Sequence, residues 1–162
     1  MAADGREVTA ITIERGWKLN TMLAKYGTGF KCFAFAPKDP YDFVDMTIAY
    51  GHDAGDLIQK VIIIGHGNAS GIQIGGHFVE LSNFKDYEGH FAKIREVISG
   101  ESFVYLRGCT VGQNERLLAS FARAFGVPTY AGTSAENVLW DFNFGDIMVA
   151  YPGGSVSKAS RP

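Results

Sequence analysis

The chain predicts an α/β fold with a mostly parallel central sheet flanked by helices and carrying β-hairpin additions, on three observations. Val61-Ile62-Ile63-Ile64 is a short β-branched run closed by Gly65, the form of a parallel strand buried on both faces. Residues 102–106 give a second apolar strand and 127–131 a third, and amphipathic helical patterns separate them. Strand, helix, strand, helix, strand from residue 61 to 131 requires right-handed crossovers, which place helices on the sheet. At 162 residues, with 46% hydrophobic and 20% charged residues, the chain has the size and composition of one globular domain. That domain is expected to span 1–154, with 155–162 a frayed, disordered tail.

Element by element, residues 7–14 alternate β-branched and smaller residues, and 31–37 are an apolar run stopped by Pro37; both read as strands. Residues 17–26 suit a short helix ending at Gly27. Residues 41–50 fit either period, and 53–60 read as a loop or one helical turn leading into the first core strand. After the glycine-rich loop 65–71, residues 72–74 and 77–81 flank Gly75-Gly76, the two-residue spacer of a tight hairpin. Ser82 and Asn83 are candidate caps for a helix whose apolar face is Phe91, Ile94, Val97 and Ile98, ending near Gly100. Residues 114–125 place Leu117, Leu118, Phe121, Ala122 and Phe125 on one face, and Gly126 followed by Pro128 supplies the stop. Residues 138–144 and 146–151 around Gly145 read as a final hairpin.

Charge and composition narrow the function. Fifteen Lys+Arg against seventeen Asp+Glu give a net charge of −2 and no basic stripe, so nucleic acid is not an expected partner. The longest purely apolar run is far short of the ~20 residues a membrane span needs, and the acidic start lacks the features of a signal peptide. The expected setting is the cytoplasm, or export without such a signal. Two cysteines, Cys32 and Cys109, cannot make a disulfide framework or a four-thiolate metal site. His52, His77 and His90 fall on a loop, a strand and a helix start, so neither a metal nor another cofactor is expected.

His66 follows one apolar strand between two glycines, and Cys109 follows another directly after Gly108. In α/β sheets such strand-end loops gather on the carboxyl rim, where ligands and catalytic groups collect. A thiol needs a neighbouring base to populate its thiolate, and imidazole can do this and later protonate a leaving amine. The turn after Cys109 opens toward a helix N-terminus, which favours negative charge there. Two readings of Cys109 stand beside each other, a small core hydrophobe or a nucleophile. Cys32, among phenylalanines in a strand, reads as core. Gly65-x-Gly67-x-x-x-Gly71 could mimic a dinucleotide loop, but a β-patterned hairpin follows it rather than the helix a pyrophosphate needs.

Taken together, Ile62-Ile63-Ile64-Gly65-His66-Gly67, the hairpin Gly71-Ile72-Gln73-Ile74-Gly75, an amphipathic helix and Val104-Tyr105-Leu106-Arg107-Gly108-Cys109 resemble the caspase-type (clan CD) cysteine peptidases. The wording is most similar to the self-processing cysteine protease domains of bacterial RTX and clostridial toxins and related bacterial domains, over residues 60–152. The resemblance implies a caspase/hemoglobinase-like three-layer sandwich and a peptide or protein substrate. It also implies a dyad in which Cys109 attacks the peptide carbonyl, His66 is the acid/base and the Gly67 amide is an oxyanion donor. The dense Lys/Arg cluster with which the toxins bind inositol hexakisphosphate is missing from this sequence. By the same resemblance the substrate pocket draws on 35–37 and 132–137, with Phe35, Gly132, Thr133, Ser134, Glu136 and Trp140 as candidates. Glu136 or Asp141 there would select Lys or Arg, whereas Phe35 and Trp140 alone would favour an apolar residue such as Leu. A different class of function is a non-catalytic binding module of the same fold, with Trp140, Phe142 and Phe144 as its interaction face.

Overall fold

The computed structural model describes residues 8–13, 31–137 and 142–162. Among these residues the main sheet has seven strands. In chain order the elements are β1 (Val8–Ile13), β2 (Lys31–Phe35), α1 (Pro40–Ala54), β3 (Ile58–Ile64), β4 (Gly67–Asn68), β5 (Gly71–Ile74), β6 (His77–Glu80) and α2 (Phe84–Phe91). A 3₁₀ turn (Ala92–Glu96) leads to β7 (Ile98–Arg107), and a second (Val111–Gln113) leads to α3 (Glu115–Phe125). Then come β8 (Thr129–Gly132), β9 (Glu136–Asn137), β10 (Phe142–Asn143), β11 (Ile147–Ala150) and β12 (Val156–Ala159). The order across the main sheet is β12-β11-β8-β7-β3-β1-β2. The five strands from β2 to β8 run parallel, and β11 and β12 are antiparallel additions, so the fold is α/β with a mixed sheet.

The sheet centre is where the sequence is most apolar. Val61, Ile63, Val104 and Leu106 project from β3 and β7 to one face and are fully buried with side chains of α1, α2 and α3 in one core. Residues of the opposite parity, Ile62 and Tyr105, with their register partner Ile11, are buried on the other face. Burial on both faces is what a continuous β-branched run predicts.

The ambiguous segment 41–50 is helical because its ends are capped. Asp39 Oδ1 accepts the Asp42 N–H at 2.8 Å, Pro40 opens the helix, and Gly55 closes it at φ 67° with its N–H on the His52 carbonyl. Its buried residues Phe43, Val44, Thr47 and Gly51 follow helical spacing. In α3 the Asn114 side chain accepts the Leu117 N–H at 3.1 Å, and Phe121 and Phe125 pack on Phe91 with ring centroids 5.5 and 5.4 Å apart. Asn114→Ala should cost about 1 kcal/mol of unfolding free energy, readable by urea denaturation, because one helix N–H loses its partner.

Three expectations are corrected. The helix expected to run to Gly100 ends at Phe91, the 3₁₀ turn carries Ile94, and Ile98 opens β7. Phe91, Ile94 and Val97 mimic a longer helix because the turn and the strand start bury their residues in the same core. Among the described residues no pairing joins the two sides of Gly145 into a hairpin. β10 pairs with β9 in a separate ribbon, while β11 joins the main sheet beside β8. Gly145 is the crossing point, its N–H held by Asn143 Oδ1 at 2.9 Å. The segment read as a frayed tail contains β12, which a turn with Gly154 at φ 94° folds back onto β11. The short helix expected at 17–26 lies outside the described residues. No helix among the described residues is long and apolar enough to cross a membrane.

Candidate active site

β3 and β7 are adjacent, parallel and in register with Ile64 opposite Arg107, so the loops that leave them emerge side by side on one rim. His66 stands on the first loop and is exposed; Cys109 stands on the second and is half-buried. The loops touch through glycines. A Cβ on Gly67 would lie 3.0 Å from the Gly108 Cα and 2.6 Å from Val111 Cγ2, and one on Gly108 would lie 3.2 Å from the Gly67 Cα. Any side chain at either position would wedge the two loops apart.

The His66 loop is fixed from its far side. Gln73 N–H donates to the His66 carbonyl at 2.7 Å, and Gly67 faces Ile72 as a non-hydrogen-bonded antiparallel pair. The Gly67 N–H therefore projects away from β5 instead of entering the ladder. Asn68 Oδ1 accepts the N–H groups of Ser70 and Gly71 at 2.7 and 3.2 Å, and Asn114 Nδ2 reaches the Ser70 carbonyl at 3.4 Å. The cap of α3 thus also braces the histidine loop.

The Cys109 turn is held by the chain that follows β8. Thr110 adopts φ 57°, unusual for a β-branched residue, and its N–H donates to the Ser134 carbonyl at 2.9 Å. Gln113 Nε2 donates to the Thr133 carbonyl at 2.7 Å, and Gly112 sits where a Cβ would be 2.6 Å from the Ala131 carbonyl oxygen. The Glu136 N–H points at Cys109 Sγ, 3.5 Å away.

The carboxylate of Glu136 is enclosed beside the cysteine, 2% exposed at its side chain. Arg107, itself 1% exposed, donates to Oε1 through Nε at 2.9 Å and a terminal nitrogen at 2.7 Å. Arg161 adds a third donor to Oε1 at 3.1 Å, and Asn143 Nδ2 donates to Oε2 at 3.0 Å. Arg161 also reaches the Tyr105 hydroxyl at 3.2 Å. Burial, with the Glu136 charge behind it, raises the Tyr105 hydroxyl above its ordinary value, against the pull of Arg161.

Of the expected site residues, His66, Gly67, Cys109, Gly132, Thr133, Ser134 and Glu136 meet on this rim. Phe35 does not. It is 3% exposed, packed against Phe33 and Phe43, on an edge strand three positions from β7. Three strand spacings put it about 14 Å away, in the core rather than in a pocket beside Cys109. Glu136 is not an open anion awaiting a substrate cation, because Arg107 and Arg161 already neutralise it. Trp140 and Asp141 lie outside the described residues, and Phe144 is 67% exposed. Arg107, Asn143 and Arg161 were not singled out from the sequence. Arg107 carried a signal, since a charge closing a buried apolar run must have a partner nearby.

Among the described residues no group of three His, Cys, Asp or Glu side chains could hold a metal. His52 pairs with Glu96 and His90 with Asp45, each at 2.9 Å on the surface. The sequence model of one family, described as a domain of unknown function (DUF4347), matches residues 18–137. No curated protein and no solved structure matches the chain.

Proposed function

The chain belongs to the DUF4347 family, and we propose that this member is a caspase-like cysteine endopeptidase acting through a Cys109–His66 dyad, of the self-processing or toxin-related kind. The observation that carries this reading is the pairing of two strand ends. The histidine and the cysteine leave adjacent parallel strands in register, on loops pressed together at Gly67 and Gly108. In the proposed reaction His66 takes the Cys109 proton, and the thiolate forms a bond to the peptide carbonyl carbon. The carbonyl electron pair moves onto oxygen, where the Gly67 N–H receives it. Collapse breaks the C–N bond as His66 gives its proton to the departing amine. Water, deprotonated by His66, then cleaves the thioester and releases the thiolate.

The test is labelling with a peptidyl acyloxymethyl ketone followed by mass mapping. The expected result is one adduct on Cys109 that His66→Ala slows at least tenfold. No adduct under reducing conditions from a panel with apolar, basic and acidic residues before the warhead would end the peptidase reading. The binding-module reading, favoured by the exposed Phe144, would then take its place. Gly67→Ala should lower the rate of any cleavage by about 10²-fold by displacing the histidine loop. The same change should cost about 1–3 kcal/mol of stability, and calorimetry beside the activity assay separates the two effects.

A further inference from the structure

Glu136 does two things at once. Its backbone N–H reaches Cys109 Sγ at 3.5 Å, and its carboxylate is gripped by Arg107, Arg161 and Asn143. Arg107 lies two residues before the cysteine on β7, Asn143 on the partner strand of the β9–β10 ribbon, and Arg161 beyond β12. Three separate parts of the chain therefore fix the position of one amide. That amide meets the sulfur, and an N–H donated to a sulfur favours its charged form.

We infer that Glu136 is a positioning residue for Cys109, its clamped carboxylate holding its own amide on the sulfur so that the thiolate is stabilised, with the segment after β12 completing the clamp through Arg161. This assigns Glu136 a role other than reading a basic substrate residue. It rests on the reading of Cys109 as a nucleophile, but its test needs no substrate.

Glu136→Ala and Glu136→Gln lose the same negative charge, but only Gln keeps a side-chain oxygen for Arg107 to donate to. If the charge of Glu136 acted on the sulfur through space, the two variants would react alike. If the clamped side chain holds the amide in place, only the Ala variant loses reactivity.

The experiment follows the rate of iodoacetamide modification of Cys109 near neutral pH, located by mass mapping, in the whole protein. Glu136→Ala should lower that rate about tenfold, the scale of one lost hydrogen bond to a charged group. Glu136→Gln, which can still accept from Arg107, should recover most of the loss although it removes the same charge. Asn143→Ala removes the uncharged member of the clamp and should lower the rate the same way by less. It provides the reading should Glu136→Ala fail to fold. An unchanged or raised rate in the folded Ala variants, or equal losses in Glu136→Ala and Glu136→Gln, overturns the inference. A lowered rate in a protein that cleaves no peptide leaves the inference standing and removes only the peptidase reading.

Discussion

Cys109→Ala is expected to abolish peptide cleavage, by a factor of about 10³ or more, while changing the unfolding free energy by no more than about 1 kcal/mol. The residue is half-buried and follows a glycine, and its sulfur receives one amide N–H at 3.5 Å. Removing it deletes one atom and one weak hydrogen bond without opening a core cavity. The activity loss is large because the covalent route has no substitute nucleophile in place. Parallel measurement of peptide-library cleavage and of the urea midpoint decides the matter. A loss of several kcal/mol would mark Cys109 as a packing residue and remove the enzyme assignment.

Arg107→Ala should give the largest stability loss of any substitution on this rim, about 3–5 kcal/mol by chemical denaturation. Arg107 and Glu136 are both almost wholly enclosed, so removing one leaves the other charged away from water with too few partners. Arg161, 29% exposed, offsets part of the deficit. The double change Arg107→Met with Glu136→Gln should cost clearly less than Arg107→Met alone, since no uncompensated charge remains buried. Equal losses in Arg107→Met and the double variant would show that the buried charge of Glu136 is not the source of the loss.

The parts of this fold legible in the sequence are those governed by local pattern. Val61–Ile64 and Leu117–Phe125 carry one period each and end at Gly65 and Gly126, so their type and limits follow from neighbouring residues alone. The pattern over 98–100 reads as helix, whereas these residues open β7, which bulges there. Ile58 pairs with Ile98 and Lys60 with Phe103, and Ser102 Oγ satisfies the Ile58 carbonyl at 2.6 Å. No local period encodes such an interruption. β12 escaped notice because an edge strand with Ser157 and Lys158 exposed has no buried alternation to display.

The site divides in the same way. His66 and Cys109 could be found because each directly follows an apolar strand, and topology alone then brings them to one rim. The Glu136 clamp could not, since it joins residues 29 and 25 positions apart in the chain through side chains whose neighbours become visible only after folding. The family likeness places Phe35 in a pocket, whereas the sheet order puts it on β2, three strands from β7.

The order of the sheet also has a meaning in time. From β3 onward each main-sheet strand is laid beside the one before it, β3, β7, β8, β11, β12, so the sheet extends outward in the order in which a ribosome delivers the chain. A nascent chain that has emerged through β7 and the turn after it already owns its histidine and its cysteine. Arg161 cannot reach Glu136 until the outermost strand has been synthesised and has docked. The thiol therefore passes through translation with its clamp incomplete, and it acquires the last arginine only after every strand between it and the sheet edge is in place.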